Sequence, residues 1–473
     1  MAGGDAHSYE TVKAALKAAQ QDHVLRFWPT LDAPARAALL GDLAAIDIDD
    51  LPTLSRLAAG DANPAHPTRQ IEPPPVLRSN DFGPSTKRAG QAIIAEGKVC
   101  ALTVAGGQGT RLGFDGPKGA LPTSPIRQKC LFQLFAEFIR ATDARHGCRT
   151  TWYVMTSPAN DRQTREFFDQ HGCFGLRPDR VKFFQQGVMP AFDRCGKMLL
   201  DQPHRLALSP DGHGGTLLAL AARGMLADMA RRGIDYISYF QVDNPLVACI
   251  DPLFVGAHAE SGSEASSKSL PKADDFEKVG HFATADGKLT VIEYSDLPED
   301  LALARNADGS RRFDAANIAV HLFDRAFIER LTADRAAFGL PWHRALKKVP
   351  HVDLDSGRRV EPGAADAVKL EAFIFDALPL ARRPLLLETS RAEEFSPIKN
   401  ATGVDSVDSA RRDMSRRAAR WLAQAGFDVP RRADGEPDGV FEISPLLATT
   451  AEELRSRTLS PRPIAPNERV YLE

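Results

Sequence analysis

The stretch Val99-Cys-Ala-Leu-Thr-Val104, continued by Ala105-Gly-Gly-Gln-Gly-Thr-Arg-Leu-Gly113, decides the fold of this chain. Its first six residues form a mostly apolar run, which predicts a buried strand of a parallel sheet. Three glycines then follow within four positions, and glycine lets backbone N–H groups surround an anion because no Cβ blocks the approach. An amphipathic helix is predicted behind the loop at residues 132–139. The pattern indicates phosphate binding, and the alternative is an ordinary strand-to-helix turn.

Two cations accompany the glycine loop, and neither common phosphate motif matches it. Arg111 lies within the loop and Lys118 follows it. A dinucleotide fingerprint requires a third glycine where Leu112 stands. A P-loop requires a lysine followed by a hydroxyl residue, whereas Lys118 is followed by Gly119. The stretch therefore predicts a phosphate site of a different class from both motifs.

The composition excludes several classes of protein. The chain has 473 residues, which suggests about three domains at ~150 residues each, and 43% hydrophobic with 26% charged residues is typical of globular proteins. A net charge of -3 predicts no nucleic-acid partner. No apolar run approaches the ~18 residues of a membrane span, so no membrane association is expected. The six dispersed cysteines and the absence of a visible signal peptide favour a cytoplasmic protein. The oligomeric state stays open.

Three regions follow one another along the chain. Residues 8–60 are predicted to be helical, with Ser8 as the first N-cap, and residues 61–84 are a proline-rich connecting segment. From residue 97 to 376, predicted strands alternate with helices, which favours an α/β fold with a mostly parallel sheet. The predicted strands are Val99–Val104, 150–155, Val181–Gln185, 236–242, 289–294 and 372–375, and the helices between them include 161–171 and 217–231.

Asp243 is the candidate metal ligand. It follows the predicted strand 236–242, and parallel strands place ligands at their carboxyl ends. A carboxylate at that edge, beside a phosphate loop, suits Mg²⁺ bound to phosphate oxygens. The alternative is that Asp243 caps the turn formed by Asn244-Pro245.

Further polar groups are candidates for binding a ligand. The glycine-rich loop 209–216 opens a predicted helix and contains His213, which is either an acid–base group or merely hydrogen-bonded. Gln186 directly follows the predicted strand Val181–Gln185, and its amide is suited to bind the edge of a nucleobase. The alternative is that Gln186 is an ordinary polar residue of the surface. Glu293, Asn317, Lys369 and Lys399 stand out in the later sequence, although solvated charge is their default interpretation.

Seven motifs, in order between residues 98 and 400, resemble those of the eukaryotic-type UDP-sugar pyrophosphorylases, and within them the UDP-N-acetylglucosamine pyrophosphorylases. These are Ala105-Gly-Gly-Gln-Gly-Thr-Arg-Leu-Gly113, Pro117-Lys-Gly119, Phe183-Phe-Gln-Gln-Gly187, Pro210-Asp-Gly-His-Gly-Gly215, Val242-Asp-Asn244, Val291-Ile-Glu-Tyr-Ser295 and Ser396-Pro-Ile-Lys-Asn400. The resemblance implies a nucleotide-diphospho-sugar transferase fold, with a Rossmann-like (GT-A) central sheet. It also implies an N-terminal helical domain with its connecting segment at 1–84, a catalytic domain at 85–385 and a small C-terminal domain at 386–473.

The resemblance also assigns roles to residues. The catalytic cations are Arg111, Lys118, Lys369 and Lys399. The nucleotide-binding residues are Gly106, Gly107, Gln108, Gly109, Gln186, Gly212 and His213. The sugar-binding residues are Gly280, Glu293, Asn317, Phe373 and Phe375. Asp243 holds Mg²⁺, and the substrates are UTP and a sugar 1-phosphate.

The expected reaction forms UDP-N-acetylglucosamine and pyrophosphate by in-line attack of N-acetylglucosamine 1-phosphate on the α-phosphate of UTP. Two departures concern the sugar: His213 and Asp314 stand where asparagine is more usual in the acetylglucosamine enzymes. Two alternatives therefore stay open. One is a uridylyltransferase acting on glucose 1-phosphate or on many sugar phosphates, and the other is a non-catalytic protein that binds nucleotide sugars.

Overall fold

A computed structural model describes residues 9–60, 70–334, 338 and 340–473. The chain forms two compact units, each assembled from three segments. The smaller unit comprises Met1–Arg69, Gln186–Ala219 and Arg335–Ala377, and the larger unit comprises Gln70–Gln185, Leu220–Asp334 and Leu378–Glu473. The expected N-cap Ser8 lies outside the described residues. The expected domain limits at residues 84 and 385 stay a prediction.

Helices form where apolar residues recur with helical spacing and where caps end the pattern. Helix α5, for example, begins at the N-cap Cys130 and ends at Gly147, whose left-handed conformation terminates it. No described helix has both the length and the apolar character that a bilayer crossing requires. The α-helices are α1 Tyr9–Ala18, α2 Ala33–Ala44, α3 Leu51–Ala59, α4 Pro84–Ala95, α5 Leu131–His146, α6 Asp161–Gln170, α7 Gly215–Ala222, α8 Met225–Arg231, α9 Pro252–Ser261, α10 Glu299–Ala302, α11 Arg325–Thr332, α12 Arg391–Glu394, α13 Val407–Gln424 and α14 Ala451–Ser456.

The strands range from two to ten residues in length. They are β1 Ile71–Glu72, β2 Leu77–Arg78, β3 Val99–Val104, β4 Trp152–Thr156, β5 Val181–Gln185, β6 Val188–Pro190, β7 Phe192–Asp193, β8 Leu200–Gln202, β9 Arg205–Leu206, β10 Leu208–Pro210, β11 Tyr236–Gln241, β12 Ala265–Pro271, β13 His281–Ala285, β14 Lys288–Ile292, β15 Ala315–Asp324, β16 Trp342–Lys347, β17 His351–Val352, β18 Arg359–Val360, β19 Ala367–Ala372, β20 Leu385–Glu388, β21 Gly439–Ile443 and β22 Glu468–Leu472.

The larger unit is built on a mixed sheet, in the order β2-β20-β12-β15-β11-β3-β4-β5. Strand β3 pairs in parallel with β4 and with β11, as expected for an α/β fold. Strand β15, however, runs antiparallel between β11 and β12, so the sheet is mixed. The other five pairings in this order are parallel, as the expectation of a mostly parallel sheet requires. The chain before β15 forms the β13–β14 hairpin and the four-residue helix α10. This connection lacks the long crossover helix that would be needed if β15 ran parallel to the neighbouring strands.

Two predicted elements differ from the structure. The predicted strand 372–375 is wrong, because β19 ends at Ala372 and a 3₁₀ helix spans Ile374–Leu380. The apolar run still pairs with a neighbouring segment, but that segment is the loop at Asp211–Gly214. The predicted helix 217–231 divides into α7 and α8 because Gly224, at φ +72°, takes the left-handed conformation between them.

An aromatic core supports the strand that precedes the glycine loop. The rings of Phe132 and Phe168 lie 4.8 Å apart in an edge-to-face arrangement, and Trp152 packs beside both. All three side chains are fully buried. Phe132 also packs against Gly119, where a Cβ would lie 2.2 Å from the ring. The glycine after Lys118 is therefore required by this close approach, and the core fixes the backbone that carries Lys118.

An ion cluster around the buried Lys268 joins three elements of the larger unit. The Lys268 side chain is 1% exposed, and its Nζ donates to Asp251 Oδ2 at 2.7 Å and to Glu394 Oε2 at 2.6 Å. Thr389 donates to the same Glu394 carboxylate at 2.6 Å. These contacts join the start of α9, strand β12 and helix α12. The cluster thereby holds in place the segment that leads to Ser396–Asn400.

Candidate active site

The glycine loop after β3 is held by hydrogen bonds to its carbonyl oxygens. Ser157 Oγ donates to the Gly106 carbonyl at 2.8 Å, and Asn160 Nδ2 donates to Ala105 at 2.8 Å and to Gly107 at 3.2 Å. Within the described residues, the N–H groups of Gly106, Gly107 and Gln108 donate no hydrogen bond. With the carbonyls occupied and these N–H groups available, the loop is suited to bind an anion.

Lys118 and Asp243 meet at the same edge of the sheet. Strands β3 and β11 are parallel neighbours, so the segments that follow them emerge together. The loop folds back so that the Lys118 N–H donates to the Gly107 carbonyl at 3.2 Å. Lys118 Nζ lies 3.4 Å from Asp243 Oδ2, and both side chains are about 15% exposed. A cation and a carboxylate thus lie beside the glycine loop, as the sequence predicted.

The segment that carries Lys399 is fixed to the same edge. The Ile398 N–H donates to the Asp243 carbonyl at 2.9 Å. Asn244, the next residue, accepts from the Ser396 N–H at 3.1 Å and donates to the Glu394 carbonyl at 2.7 Å. The Lys399 Nζ lies 6.0 Å from the centre of the Phe395 ring, a cation–π distance. The structure therefore brings Lys399 to the neighbourhood of Asp243.

The three polar sugar-site candidates of the larger unit also lie together. The Asn317 N–H donates to the Gly280 carbonyl at 2.8 Å. A Cβ at Gly280 would lie 3.2 Å from Glu293 Oε1 and 3.8 Å from Asn317 Cβ. A side chain at position 280 would clash with Val291, 2.7 Å from the added Cβ, and press on Glu293, whereas Asn317 would be in ordinary contact. Asn317 lies on β15, before the residues of that strand that pair with β11.

Arg111 stands apart from these contacts. It lies on the 3₁₀ turn Thr110–Leu112 and is exposed. Across the described ranges it makes neither a hydrogen bond nor an ion pair. The turn is fixed at its start by Gly109, where a Cβ would lie 2.7 Å from the Phe114 ring. Arg111 is therefore a solvated cation next to the glycine loop.

In the smaller unit, the loop at Asp211–Gly214 pairs with the end of β19. The Ala372 N–H donates to the Asp211 carbonyl at 2.9 Å, and the Gly214 N–H donates to the Ala372 carbonyl at 2.8 Å. A Cβ at Gly212 would lie 2.4 Å from the Ala372 carbonyl oxygen, and the φ of Gly212 is +86°. Both facts require glycine there. The conformation of this loop therefore requires glycine at position 212, independently of any ligand that the loop binds.

His213 has a defined protonation state. Its Nδ1 accepts from the Ile374 N–H at 3.1 Å, so the ring proton of the neutral imidazole is on Nε2. Desolvation, reinforced by His343, lowers the pKa of His213 to about 4. At neutral pH His213 is therefore an uncharged hydrogen-bond donor, which argues against the acid–base role left open from the sequence.

Aromatic rings surround His213. Its ring stacks on Phe373 at 5.3 Å and lies 5.7 Å from Phe375. His343 stacks on Phe373 at 4.2 Å, and its Nε2 lies 2.7 Å from Asp376 Oδ2. The structure thus brings together three predicted site residues of this unit.

Lys369 and Gln186 occupy two further segments of the smaller unit. Lys369 lies on β19, opposite Ala345 of β16. Gln186 is buried, at 5% exposed, and directly precedes Gly187, whose carbonyl accepts from the Asp211 N–H.

Sequence reasoning missed Ser157 and Asn160, which hold the glycine loop of the larger unit, and it missed Asp211 and His343 of the smaller unit. A signal existed for the first two. They follow β4, which is the parallel neighbour of β3, so their position beside the glycine loop could have been expected. His343 is more than a hundred residues from His213 in the sequence, and no local pattern connects them.

The described residues contain no group of three or more His, Cys, Asp or Glu side chains arranged to hold a metal ion. Asp243 provides a carboxylate beside the glycine loop, 3.4 Å from Lys118 Nζ. This fits Mg²⁺, which is commonly held by one or two carboxylates together with substrate phosphates and water. It does not fit a metal such as structural zinc, which needs four protein ligands.

Comparisons with known proteins agree with this arrangement. Residues 61–420 match the model of the family described as UTP–glucose-1-phosphate uridylyltransferase. The chain is 38% identical over 479 residues to the human UDP-N-acetylhexosamine pyrophosphorylase-like protein 1, covering 94% of each chain. It is 37% identical over 401 residues to the UDP-N-acetylglucosamine pyrophosphorylase of Saccharomyces cerevisiae, covering 81% of this chain and 82% of the other.

The fold also matches solved structures. The crystal structure of the Trypanosoma brucei uridine diphosphate N-acetylglucosamine pyrophosphorylase, determined in complex with an inhibitor, superposes with a TM-score of 0.84 at 26% identity. The match covers 100% of this chain and 99% of the other. The resemblance seen in the seven motifs is therefore confirmed over most of the chain. By sequence, and in agreement with its fold, this chain belongs to the UTP–glucose-1-phosphate uridylyltransferase family, and its relatives are UDP-sugar pyrophosphorylases.

Proposed function

We propose that this chain transfers a uridylyl group from UTP to N-acetylglucosamine 1-phosphate and releases pyrophosphate. The observation that carries the proposal is the glycine loop with Lys118 and Asp243 beside it. Three backbone N–H groups, a cation and a carboxylate lie at one edge of the sheet of a uridylyltransferase family member. The names of the relatives supply the acetylated sugar.

Phosphate binding is assigned to the larger unit. The N–H groups of Gly106, Gly107 and Gln108 would donate to the triphosphate, with Gly109 completing the turn. Lys118 and the solvated Arg111 would pair with the leaving pyrophosphate. Such charge-assisted contacts are about twice as strong as neutral hydrogen bonds. Asp243 is the residue that would hold Mg²⁺, whose charge would neutralise the phosphate oxygens.

The chemistry needs no nucleophilic side chain. The attacking oxygen belongs to the sugar phosphate and is already anionic at neutral pH, so neither deprotonation nor a covalent intermediate is required. The barrier is the repulsion between two polyanions. The task of the residues is then to align attacker and leaving group in line at the α-phosphorus and to neutralise charge. Lys399, fixed near Asp243, and Lys369 would pair with the sugar phosphate.

The remaining site residues are assigned to the base and the sugar. Gln186 and the backbone of Gly212 would recognise uracil, and His213 would donate from Nε2. Glu293 and Asn317 would accept and donate to sugar hydroxyl or acetamido groups, while Gly280 leaves the room that they need. Phe373 and Phe375 would provide apolar walls for the ring of the sugar.

Glucose 1-phosphate is the second candidate acceptor, because His213 and Asp314 stand where the acetylglucosamine enzymes usually have asparagine. The protonation state of His213 bears on this choice. A neutral imidazole with its proton on Nε2 donates a hydrogen bond as an asparagine amide does, so one property of the usual residue is retained. The acetylated sugar therefore stays the first candidate.

The test measures pyrophosphate release from UTP and Mg²⁺ with a panel of N-acetylglucosamine, N-acetylgalactosamine and glucose 1-phosphates. The highest kcat/KM is expected for an N-acetylhexosamine 1-phosphate. Preference for glucose 1-phosphate would support the second candidate, and release with none of them would overturn the proposal.

Two variants connect the activity to the site. Lys118→Ala should abolish most of the turnover. Lys98→Ala is the matched control, because Lys98 precedes the opposite end of the same strand and makes an ion pair with Glu96 at 2.7 Å. Equal loss in both variants would show that the effect does not come from the phosphate site.

We further propose that the mixed sheet is of the GT-A type, with the domain limits 1–84, 85–385 and 386–473 expected from the motifs. The fold match to the Trypanosoma brucei enzyme supports this layout. Limited proteolysis followed by mass spectrometry would test the limits, because cleavage is expected first in exposed linkers.

A further inference from the structure

His343 contacts the candidate site of the smaller unit but has no assigned role. It lies on β16, opposite Glu371 of β19. Phe373 is two residues beyond Glu371, so it is the diagonal neighbour of His343 across the two chain segments, within reach of a large side chain. The two rings are stacked, with their centroids 4.2 Å apart and their planes inclined by 26°. The pairing of β16 with β19 therefore places an imidazole directly against Phe373.

The imidazole of His343 is held in place by Asp376. The His343 Nε2 lies 2.7 Å from Asp376 Oδ2, and the Asp376 side chain is only 11% exposed. A carboxylate only accepts hydrogen bonds, so His343 donates from Nε2. Asp376 belongs to the 3₁₀ helix Ile374–Leu380, which directly follows Phe373. The stacking ring is thus tied to the same short segment as the ring on which it stacks.

Three rings contact Phe373. Besides His343, its ring stacks on His213 at 5.3 Å and lies 5.1 Å from Phe375. His213 is itself fixed, because its Nδ1 accepts from the Ile374 N–H at 3.1 Å. Phe375 is buried, at 4% exposed, whereas Phe373 is partly exposed. Of the two phenylalanines, Phe373 therefore presents more of its surface to a ligand.

His343 is the nearest of these three rings to Phe373. Without it, the Phe373 ring would gain rotational freedom, and a ligand that packs on the ring would have to order it at each binding event. An apolar wall that is ordered before the ligand arrives gives tighter binding than one that the ligand must order. The contact between the two rings thus bears on affinity for whatever packs on Phe373.

We propose that His343 is a positioning residue for the sugar substrate: tied to Asp376, it fixes the ring of Phe373 as a wall of the sugar site. The inference rests on the proposed function in one respect, namely that Phe373 borders the sugar. It goes further, because it assigns sugar affinity to a residue that acts through Phe373 rather than by contact with the sugar. The nucleotide should be unaffected, since His213 keeps its own hydrogen bond from Ile374.

The first experiment measures the dissociation constants of UDP and of UDP-N-acetylglucosamine by calorimetry, in the wild type and in His343→Ala. The two ligands share the nucleotide, so the ratio of their constants isolates the contribution of the sugar. The constant of UDP-N-acetylglucosamine should rise about tenfold, the scale of one lost aromatic contact and the order that it supplied. The constant of UDP should stay within about twofold. An equal rise for both ligands would overturn the proposal, because general loosening of the unit weakens both.

A conservative variant and a matched control separate the ring from the fold. His343→Phe can stack on Phe373 but cannot donate to Asp376, so it should bring the sugar affinity back to within about threefold of wild type. The control is His351→Ala, because His351 lies on β17 of the same unit and donates from Nδ1 to the Val349 carbonyl at 2.9 Å. It should leave both constants unchanged. Equal losses of sugar affinity in His343→Phe and His343→Ala, or in His351→Ala and His343→Ala, would overturn the proposal.

The second experiment follows turnover in the pyrophosphate assay. In His343→Ala, the KM for the sugar 1-phosphate should rise about tenfold, while kcat and the KM for UTP stay within about twofold, since only binding of the sugar loses a contact. A fall in kcat with an unchanged KM for the sugar 1-phosphate would contradict a positioning role.

Failure of the inference and failure of the proposed function are distinguishable. If no sugar phosphate yields pyrophosphate from UTP, the proposed function fails, but the calorimetric ratio is still measured. A ratio that depends on His343 then supports the inference for a protein that binds nucleotide sugars. Turnover with an unchanged ratio refutes the inference and leaves the function standing. A wild type that binds UDP-N-acetylglucosamine no more tightly than UDP also refutes the inference, because the sugar then gains nothing from the wall.

Discussion

Burial of Asp211 should lower the stability of the folded chain at neutral pH, and Asp211→Asn should relieve that cost. The ordinary pKa of the carboxyl is 3.8, and in the folded protein it is about 6. At 1.36 kcal/mol for each pKa unit, the difference corresponds to about 3 kcal/mol. A cost of this size is a substantial part of the ~5–15 kcal/mol that stabilises a typical domain.

The sign follows from proton binding. Because the folded pKa is higher, the folded chain binds the proton more tightly than the unfolded chain does. The stabilising effect of protonation is therefore fully present below pH 3.8 and is lost as the pH rises to about 6. Asp211→Asn resembles the protonated form at every pH. Its free energy of unfolding, relative to wild type, should rise by about 2.4 kcal/mol between pH 4 and pH 8.

The assay is urea-induced unfolding followed by tryptophan fluorescence, with wild type and Asp211→Asn measured at pH 4, 6 and 8. Ser209→Ala serves as the control, since its difference from wild type should not vary with pH. A pH-independent difference for Asp211→Asn would refute the reasoning, because it would show that the carboxyl titrates at its ordinary pKa. A variant that is more stable but less active would indicate that this carboxylate is retained for function.

Four further predictions concern other residues. Lys118→Ala should lower kcat by about 10²-fold, the scale of losing one charge-stabilising donor, while Lys98→Ala leaves it unchanged in the same pyrophosphate assay. Asn160→Ala should raise the dissociation constant of pyrophosphate about tenfold, measured by calorimetry, because two loop carbonyls lose their donor. His213→Asn should keep kcat/KM within about fivefold of wild type, whereas His213→Phe, which lacks the hydrogen-bond donor, should lower kcat/KM further. Equal changes of kcat/KM in the two variants would contradict the donor role. Lys268→Met should lower the free energy of unfolding by about 3–5 kcal/mol, measured in urea, because two mostly buried carboxylates lose their buried cation. An effect no larger than that of removing Arg162 from its exposed pair with Glu166 would contradict this.

The fold could be predicted where the sequence pattern is local. Strands β3 and β5 have the predicted bounds, because each is a short run rich in β-branched or aromatic residues and bounded by turn residues. The antiparallel insertion of β15 could not be predicted, since its alternating pattern is the same in either direction. The end of β19 was misplaced because residues 372–375 are as apolar as a strand, while their partner is a loop more than 150 residues away.

In the candidate site, too, features that follow from local sequence could be predicted, and features that depend on distant residues could not. The glycine loop, Lys118 and Asp243 each follow a strand, so their meeting at one edge of the sheet could be predicted from topology alone. The protonation of His213 could not, since it depends on a hydrogen bond from Ile374 and on the His343 ring. Asp211 was overlooked because an aspartate in a glycine-rich loop suggests a solvated turn, and only the packing shows that it is buried.

The ties from Ser157 and Asn160 to the glycine loop have a thermodynamic consequence. A loop whose carbonyl oxygens are already bonded loses its conformational freedom when the chain folds, so little entropy remains to be lost when an anion arrives. Association with phosphate should then be rapid and nearly free of rearrangement, and tight binding would be expressed mainly as slow release. We therefore expect turnover to be limited less by the rate of substrate binding than by the rate at which the product anion dissociates from the preorganised loop.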